Sequence, residues 1–311
     1  MKSREQPFTR NDDLLRIGAL IRRAFAQAPY WNAWSFARFD IWAQRRIADE
    51  CVHGYSDWQQ DIRLWEDETG ALIGAVTFPG NTAHRKEPNA AALFLHPEHR
   101  ELAGTMLAWA EDHHASRNIQ DAVLRVEATE SNSFMEHLLQ SRCYTKAVAH
   151  MICREKRLDG TPMELVTPSP GFSIKCVETL EDMKSFHEAV RVVFNFQDSV
   201  DVYRIVQQAP SFVPELGLMM LSKEREVASF CTVWVDWQNG VAEFEPVGTV
   251  PAFRKRGLGA ALMSEALNRL RLQGCRMATV ESWSESPAAN ALYDAAGLLP
   301  VTRMHEWQKQ P

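Results

Sequence analysis

The sequence predicts a mixed α/β (α+β) fold, present as two tandem copies of one domain. Three observations predict it. Strand-like runs with period-two alternation are interleaved with helix-like runs along the whole chain. A stretch dense in Pro, Gly, Ser and Thr, 159–171, divides the 311 residues into nearly equal halves. The halves also match each other at a near-constant offset. Leu95-His-Pro-Glu-His-Arg100 stands against Thr249-Val-Pro-Ala-Phe-Arg254, and Val126-Glu127 against Val280-Glu281, both 154 residues apart (254 − 100, 280 − 126). Upstream, residues 70–77 answer 225–232 one residue out of that register. The expected organisation is a domain at 1–158, a linker at 159–171 and a second domain at 172–311.

In the first half, Asp13 to Phe25 reads as an amphipathic helix, and a second helix is expected from Gln44 to Val52. Between them runs Tyr30-Trp-Asn-Ala-Trp-Ser-Phe-Ala-Arg-Phe-Asp-Ile-Trp42, with six aromatics. Large aromatics dominate both cores and interfaces, so this stretch is read as packing, with an acceptor pocket or a dimer surface as alternatives. In the second half, Gly171–Val177 reads as a strand. Thr179 caps a helix over Leu180–Val193, with Glu181 and Asp182 in its first turn. A helix at Asp201–Gln208 follows, then a hairpin of Leu216–Lys223 and Val227–Trp237. Asn239-Gly240 marks a tight turn into the next strand.

That strand opens the stretch on which the function turns. Val241, Glu243, Glu245, Val247 and Thr249 would share one face of it, since alternate side chains point the same way. Pro251 ends the strand, and Ala260–Leu272 reads as a helix. Gly257 and Gly259 sit where that helix begins, beside Arg254, Lys255 and Arg256. A helix N-terminus offers unpaired N–H groups and the positive end of its dipole, and glycines let the backbone approach a ligand closely. The stretch therefore suits a phosphate or pyrophosphate. It lacks both G-x-x-x-x-G-K-[ST] and G-x-G-x-x-G, so it is neither a Walker loop nor a dinucleotide fingerprint. Downstream, Met277–Trp283 reads as a strand, Ser286–Gly297 as a short helix closed by glycine, and strands around Pro300–Trp307 as the end of this half's sheet.

Arg254-x-x-Gly257-x-Gly259, following Val250-Pro251, resembles the acetyl-coenzyme A loop of the GCN5-related N-acetyltransferases (GNAT), whose pattern is [Q/R]-x-x-G-x-[G/A]. Asn290-x-x-Tyr293-x-x-x-Gly297 is similar to that family's second motif. The resemblance covers roughly residues 172–308. It implies two tandem acyl-CoA N-acyltransferase (GNAT) domains, each a mostly antiparallel twisted sheet with flanking helices and a splayed parallel strand pair. The backbone of Val247, Gly248, Thr249 and Val250 would meet the pantetheine arm. Arg254 and the amides of Lys255, Arg256, Gly257, Leu258, Gly259 and Ala260 would hold the pyrophosphate. An N–H near Val250 would serve the oxyanion. Tyr293 would be the acid for the leaving thiolate, and Asn290 either touches the arm or caps locally. The base for a charged amine is assigned to Glu245, with Glu243 second.

The implied reaction is transfer of the acetyl group from acetyl-CoA, as co-substrate, to a primary amine by direct attack. The alternative is a non-catalytic acyl-CoA-binding sensor or scaffold. The first half has lost the motif: Ala103 and Thr105 stand for the two loop glycines, Glu101 and Leu102 for the basic pair, and Glu136 and Leu139 for Asn290 and Tyr293. A β-carbon on such a turn crowds a pyrophosphate, so this half is expected to be non-catalytic.

The net charge of −6 argues against a nucleic-acid or anionic-membrane partner. A small-molecule amine is expected, a peptide or protein amine being the alternative, on a monomer or homodimer. Six scattered cysteines with no C-x-x-C pair fit free thiols in a reducing cytoplasm. No apolar signal segment and no membrane-length run are seen. His96-Pro-Glu-His99 and His113-His114 have metal-ligand composition without ligand geometry, so no metal is expected.

Overall fold

The computed structural model describes residues 3–9, 12–81, 86–87, 89–117, 123–158, 165–196 and 198–310. In chain order the elements are β1 (Arg4–Pro7), α1 (Asp12–Gln27), α2 (Phe36–His53), β2 (Ile62–Glu66), β3 (Leu72–Thr77) and a two-residue pair, β4 (Gly80–Asn81) with β5 (Lys86–Glu87). Then come β6 (Ala90–Leu95), α3 (Ala103–Ser116), β7 (Leu124–Thr129), α4 (Ser133–Ser141) and β8 (Thr145–Arg157). The second repeat follows with β9 (Ser173–Cys176), α5 (Leu180–Phe194), α6 (Val200–Val206), β10 (Leu218–Leu221), β11 (Val227–Asp236) and β12 (Val241–Thr249). It closes with α7 (Leu258–Leu272), β13 (Met277–Trp283), α8 (Pro287–Ala295) and β14 (Leu299–Lys309). Helices α4 and α8 begin 154 residues apart (287 − 133), the offset read from the sequence.

The chain divides into two compact units, 1–151 with 302–311, and 152–301. This differs from the boundaries expected at 158 and 172. Of the expected linker, residues 159–164 lie outside the described residues. The rest is held by the second unit, where the Val166 N–H donates to Ser264 Oγ (3.1 Å) and Ser169 Oγ donates to the Arg256 carbonyl (3.0 Å). The larger difference concerns the last strand of each repeat. Residues 302–309 of β14 belong to the first unit, where they run antiparallel to β7 with Met304 opposite Thr129 and Lys309 opposite Leu124. Residues 152–157 of β8 belong to the second unit, beside β13. The strands expected at Pro300–Trp307 therefore complete the sheet of the first unit rather than that of their own repeat.

Taken by itself, the first unit has the strand order β1-β2-β3-β6-β7-β14-β8. Its neighbours are antiparallel at β1–β2, β2–β3, β3–β6 and β7–β14, and parallel at β6–β7. Helices α1 and α2 cover one face through Ile17, Leu20, Phe39 and Trp42 against Phe94. Helices α3 and α4 cover the other through Met106, Leu107 and Leu139 against Val76 and Trp307. The aromatic stretch 30–42 divides here. Its second part is helical, because Ser35 caps α2 by accepting from the Arg38 N–H (3.0 Å), which starts that helix well before Gln44.

A polar cluster sits within this unit at Glu127 on β7. Its carboxylate accepts from Trp34 Nε1 (2.7 Å) and Arg38 Nη2 (2.8 Å) and pairs with His150 Nε2 (3.0 Å). Burial alone would raise the Glu127 pKa, but the Arg38 charge and the hydrogen bonds from His150 and Arg38 outweigh it and hold the carboxyl at about 2. Glu127 is thus a strand-end glutamate paired with an arginine.

The second unit has the strand order β8-β13-β12-β11-β10-β9. The β12–β13 pair is parallel; β9–β10, β10–β11 and β11–β12 are antiparallel. Helix α5 packs Phe186, Ala189 and Val190 on one face against Met219 and Phe230. Thr179 and Asp182 form a reciprocal cap at its start, each side chain taking the other's backbone N–H. Helix α7 packs Leu258, Leu262, Leu267 and Leu270 on the opposite face. With both faces covered, all ten residues of β11 are buried.

Outcomes of two kinds are expected. Trp307 is fully buried, so Trp307→Ala should destabilise the first unit by about 3–5 kcal/mol in denaturant titration. A chain ending at Val301, or the fragment 1–158, should lack a cooperatively folded first unit in the same assay, since either leaves β7 without its partner. Secondly, the native Glu127 pKa is depressed, so its contribution is complete above the ordinary value of 4.5 and is lost as pH falls toward about 2. That contribution is about 3 kcal/mol. Glu127→Gln should flatten this part of the acid-unfolding curve followed by circular dichroism.

Candidate active site

The site begins where two parallel strands stop pairing. Strand β12 matches β13 at Val241–Met277, Ala242–Ala278 and Glu243–Thr279, and the register ends there although both strands continue. The cause lies on the other side of β12. Cys231 of β11 faces Val247 while Val233 faces Phe244, so β12 carries one more residue than β11 across this stretch. An extra residue bends the strand that carries it. It also reverses the alternation downstream. Ala242 and Phe244 before the bulge, and Val247 after it, all join the core beneath α7. The expectation that Val241, Glu243, Glu245, Val247 and Thr249 share one face therefore fails at the bulge.

Backbone direction follows from the register. The Val250 N–H donates to the Ala228 carbonyl (3.0 Å), and Ser229 Oγ donates to the Gly248 carbonyl (2.8 Å). Val250 and Gly248 thus direct their backbone groups toward β11. The intervening residues of an antiparallel strand point theirs the other way, so those of Val247 and Thr249 face the gap beside β13. Of the residues near Val250, the Val250 amide itself is already engaged, and Val247 and Thr249 are the gap-facing positions. Gly248 has a packing reason to be glycine, because a β-carbon there would run into the Phe230 ring.

The glycine loop follows. A single 3-10 turn, Pro251–Phe253, leads to Arg254, whose Nε donates back to the Thr249 carbonyl (3.1 Å). Lys255 and Gly257 both have positive φ (61° and 74°), and α7 starts at Leu258. Gly257 can hold this left-handed conformation without strain, and a β-carbon built on it meets no atom within 4 Å. At Gly259 a β-carbon would lie 3.2 Å from Leu292 and 3.4 Å from Thr249 Oγ1, so the start of α7 is packed closely against α8 and the end of β12. The first α7 hydrogen bond runs from the Ala261 N–H to the Gly257 carbonyl (3.1 Å). The six preceding amides, Lys255 to Ala260, have no hydrogen-bond partner among the described residues. Six unpaired N–H groups at a helix N-terminus, flanked by Arg254, Lys255 and Arg256, form a concave donor array for an anionic group with several oxygens. These residues fit a diphosphate.

On the far side of the gap stands Tyr293 of α8. Its ring is packed in the core beneath α7 at 6% exposure, and its hydroxyl makes no hydrogen bond among the described residues. Burial raises its pKa well above the ordinary 10.0, and the nearby Glu245 charge raises it further, while Arg154 opposes them. Tyr293 and Glu245 are thus brought into one electrostatic neighbourhood. Glu245 is exposed and sits in the bulge, where its carbonyl accepts from Trp234 Nε1. Glu243 is placed differently: it is 7% exposed, between Trp234 of β11 and Thr279 of β13.

Asn290 does not reach toward the loop. Its side-chain oxygen accepts from Ser282 Oγ (2.7 Å) and its Nδ2 donates to the carbonyls of Trp283 and Ser284 (3.3 and 3.4 Å), tying the end of β13 to α8. Of the two readings left open for it, this geometry supports local positioning. Sequence reasoning missed Arg154 altogether. It is 3% exposed on β8 and donates to Ser282 Oγ (3.3 Å), Asp294 Oδ1 (2.5 Å), the Leu298 carbonyl (3.1 Å) and Asn290 Oδ1 (3.4 Å). It lies in the first repeat of the sequence, so no spacing signal connects it with Tyr293. Trp283, at the end of β13, is 54% exposed. Among the described residues no cluster of three His, Cys, Asp or Glu side chains could hold a metal, and no helix is long and apolar enough to cross a membrane.

Residues 183–298 match the acetyltransferase (GNAT) family model. A comparison with curated protein sequences finds no match. Among solved structures, the fold is similar to a GCN5-related N-acetyltransferase from Sphaerobacter thermophilus, with 18% identity and TM-score 0.65 over 99% of this chain and 96% of that one. It is also similar to a tandem GNAT protein from the clavulanic acid biosynthesis pathway, with 12% identity and TM-score 0.68 over 99% and 98%. A GNAT-family acetyltransferase from Colwellia psychrerythraea is similar over the full length of both chains, with 9% identity and TM-score 0.61. At these identities the likeness speaks for the fold, and the family model for the second repeat. The chain thus carries a stretch at 183–298 that matches the GNAT family model, within a fold similar over its length to GNAT structures, a tandem one among them.

Proposed function

We propose that the second unit transfers an acetyl group from acetyl-CoA to a primary amine. The observation that carries this reading is the run of six unpartnered amides at Lys255–Ala260, lying beside a strand pair that stops pairing at Glu243. The amides and the flanking Arg254 bind the diphosphate. The gap-facing backbone of Val247 and Thr249 supplies the hydrogen bonds that β13 does not take, so the extended arm of the donor adds to the strand edge. When bound, the donor supplies an activated acyl thioester. The Val247 N–H then stabilises negative charge that builds on the thioester oxygen.

The remaining steps are proton transfers. An aliphatic amine with a pKa near ~10 is mostly charged at neutral pH and must lose a proton to attack. Glu245, exposed at the bulge, accepts it directly or through water; buried Glu243 is the second choice. Tyr293 donates to the leaving sulfur, and its raised pKa keeps the phenol protonated for that role. Amine binding in a chain of net charge −6 favours a cationic small molecule, with a peptide or protein amine as the alternative. Within this reading the protein works in the cytoplasm as a monomer or homodimer, without a metal, a nucleic acid or a membrane.

Two measurements test this. Gly257→Asp keeps a residue tolerant of positive φ but sets a carboxylate on the anion site. Coenzyme A affinity by calorimetry is expected to fall at least about tenfold while Tm stays within about 2 °C. Undiminished affinity would place the donor elsewhere. In a thiol-release assay against an amine panel, Tyr293→Phe is expected to lower kcat about 100-fold. The loss should be even from about pH 6 to 9, because the wild-type phenol does not ionise in that range. Glu245→Gln should instead depress the rate most on the acid side, where a base is hardest to supply.

A further inference from the structure

The first unit has the same divergence of parallel strands as the second, and its own chain lies in it. Strands β6 and β7 pair only at Ala90–Arg125 and Ala91–Val126, although both continue to Leu95 and Thr129. Backbone direction repeats as well. The His96 N–H donates to the Ile73 carbonyl (3.0 Å), as Val250, 154 residues later, donates to Ala228. Leu95 is therefore the counterpart of Thr249, with its N–H turned toward the gap.

In the first unit that N–H is taken. Asn32 Oδ1, from the connection between α1 and α2, accepts it at 2.9 Å. The same short segment is tied to the other side of the gap. Thr129 Oγ1 donates to the Tyr30 carbonyl (2.5 Å), Asn132 Nδ2 to the Trp31 carbonyl (2.7 Å), and Trp34 Nε1 to Glu127 (2.7 Å). Trp31 stacks on Phe134 of α4 (6.0 Å, 14°), and Trp34 meets Phe94 of β6 edge-on (5.9 Å). Thr129, Asn132 and Glu127 are the counterparts of Trp283, Ser286 and Glu281 at the same offset of 154 (283 − 129). The loop before α3 differs too. Instead of an open glycine turn it is wound into 3-10 turns, Pro97–Leu102, kinked at His99 and adjoining α3, and the Ala103 N–H is used on the Arg100 carbonyl.

We infer that Tyr30–Trp34 is an internal occupant of the first unit's strand gap, standing where a donor's extended arm would pair, so that the chain binds one acyl-CoA and not two. The segment does what such an arm would do: it satisfies a gap-facing amide and packs between the diverging strands. It is attached at both ends and held by four hydrogen bonds, so an external ligand would have to displace it.

Hydrogen exchange on the full-length chain, read at single-amide resolution, tests this. Without coenzyme A, the Leu95 amide is expected to exchange at least about tenfold more slowly than the Thr249 amide. Asn32→Ala, which removes only the acceptor, should abolish that difference. Adding coenzyme A should leave Leu95 unchanged. The inference is overturned if Leu95 exchanges as fast as Thr249 in the unliganded wild type, or if coenzyme A protects Leu95. Calorimetry gives a second readout: the wild-type chain should bind coenzyme A at a stoichiometry of one, and a stoichiometry of two would also overturn it. Whether coenzyme A slows Thr249 reports separately on the proposed function, so the two readings can fail independently.

Discussion

Everything at the site takes its position from the place where β12 leaves β13. Two parallel strands that stay in register satisfy each other and offer a ligand nothing. Here one surplus residue in β12, set against β11, bends the strand away after Glu243. The bend has three consequences at once. It leaves two backbone positions without a strand partner, directs them into a gap, and delivers the chain to the start of α7 where the glycine loop turns. A strand edge inside a protein cannot stay unsatisfied without cost. It must be met by water, by a ligand or by the protein's own chain, and the two units meet that demand differently.

The parts of this arrangement that were legible in the sequence are the local ones. Gly257 and Gly259 announce an unusual turn because few other residues could replace them there, and a constant spacing of 154 announces duplication. The bulge was not legible. Glu243-Phe-Glu-Pro-Val reads as alternation; Pro246 signals an interruption, but not that Cys231 will face Val247 while Val233 faces Phe244. Because strand faces have a period of two, that single offset was enough to misplace the shared face, and it decides that Val247 and Thr249, among residues 247–250, turn their amides to the gap. The error was small in sequence and decisive in chemistry.

Non-local partners account for the rest. Arg154 is chemically part of the Tyr293 neighbourhood, yet 139 residues separate them (293 − 154) and it lies in the other repeat. Similarly, nothing local to Glu127 says that its partners would include an indole from the aromatic stretch. That stretch looked like general packing material. Its aromatic side chains do pack, while Asn32 and the carbonyls of Tyr30 and Trp31 carry the directional bonds. Composition reports the first role and is silent on the second.

The exchange of final strands between repeats bears on how the protein is made. A ribosome delivers residues in order, and a tandem protein ordinarily lets its leading domain mature while the trailing one is still being translated. Here the leading unit lacks the strand at 302–309 until the entire trailing repeat has emerged. During that interval the open edge of β7 is an invitation to mispairing. The closest competitor is residues 152–157 of β8, which continue directly from the first repeat but end up in the second unit. Maturation is thereby inverted in time: every residue of the second unit, 152–301, precedes residue 302, so a nascent chain stalled there holds a complete second unit and an unfinished first one.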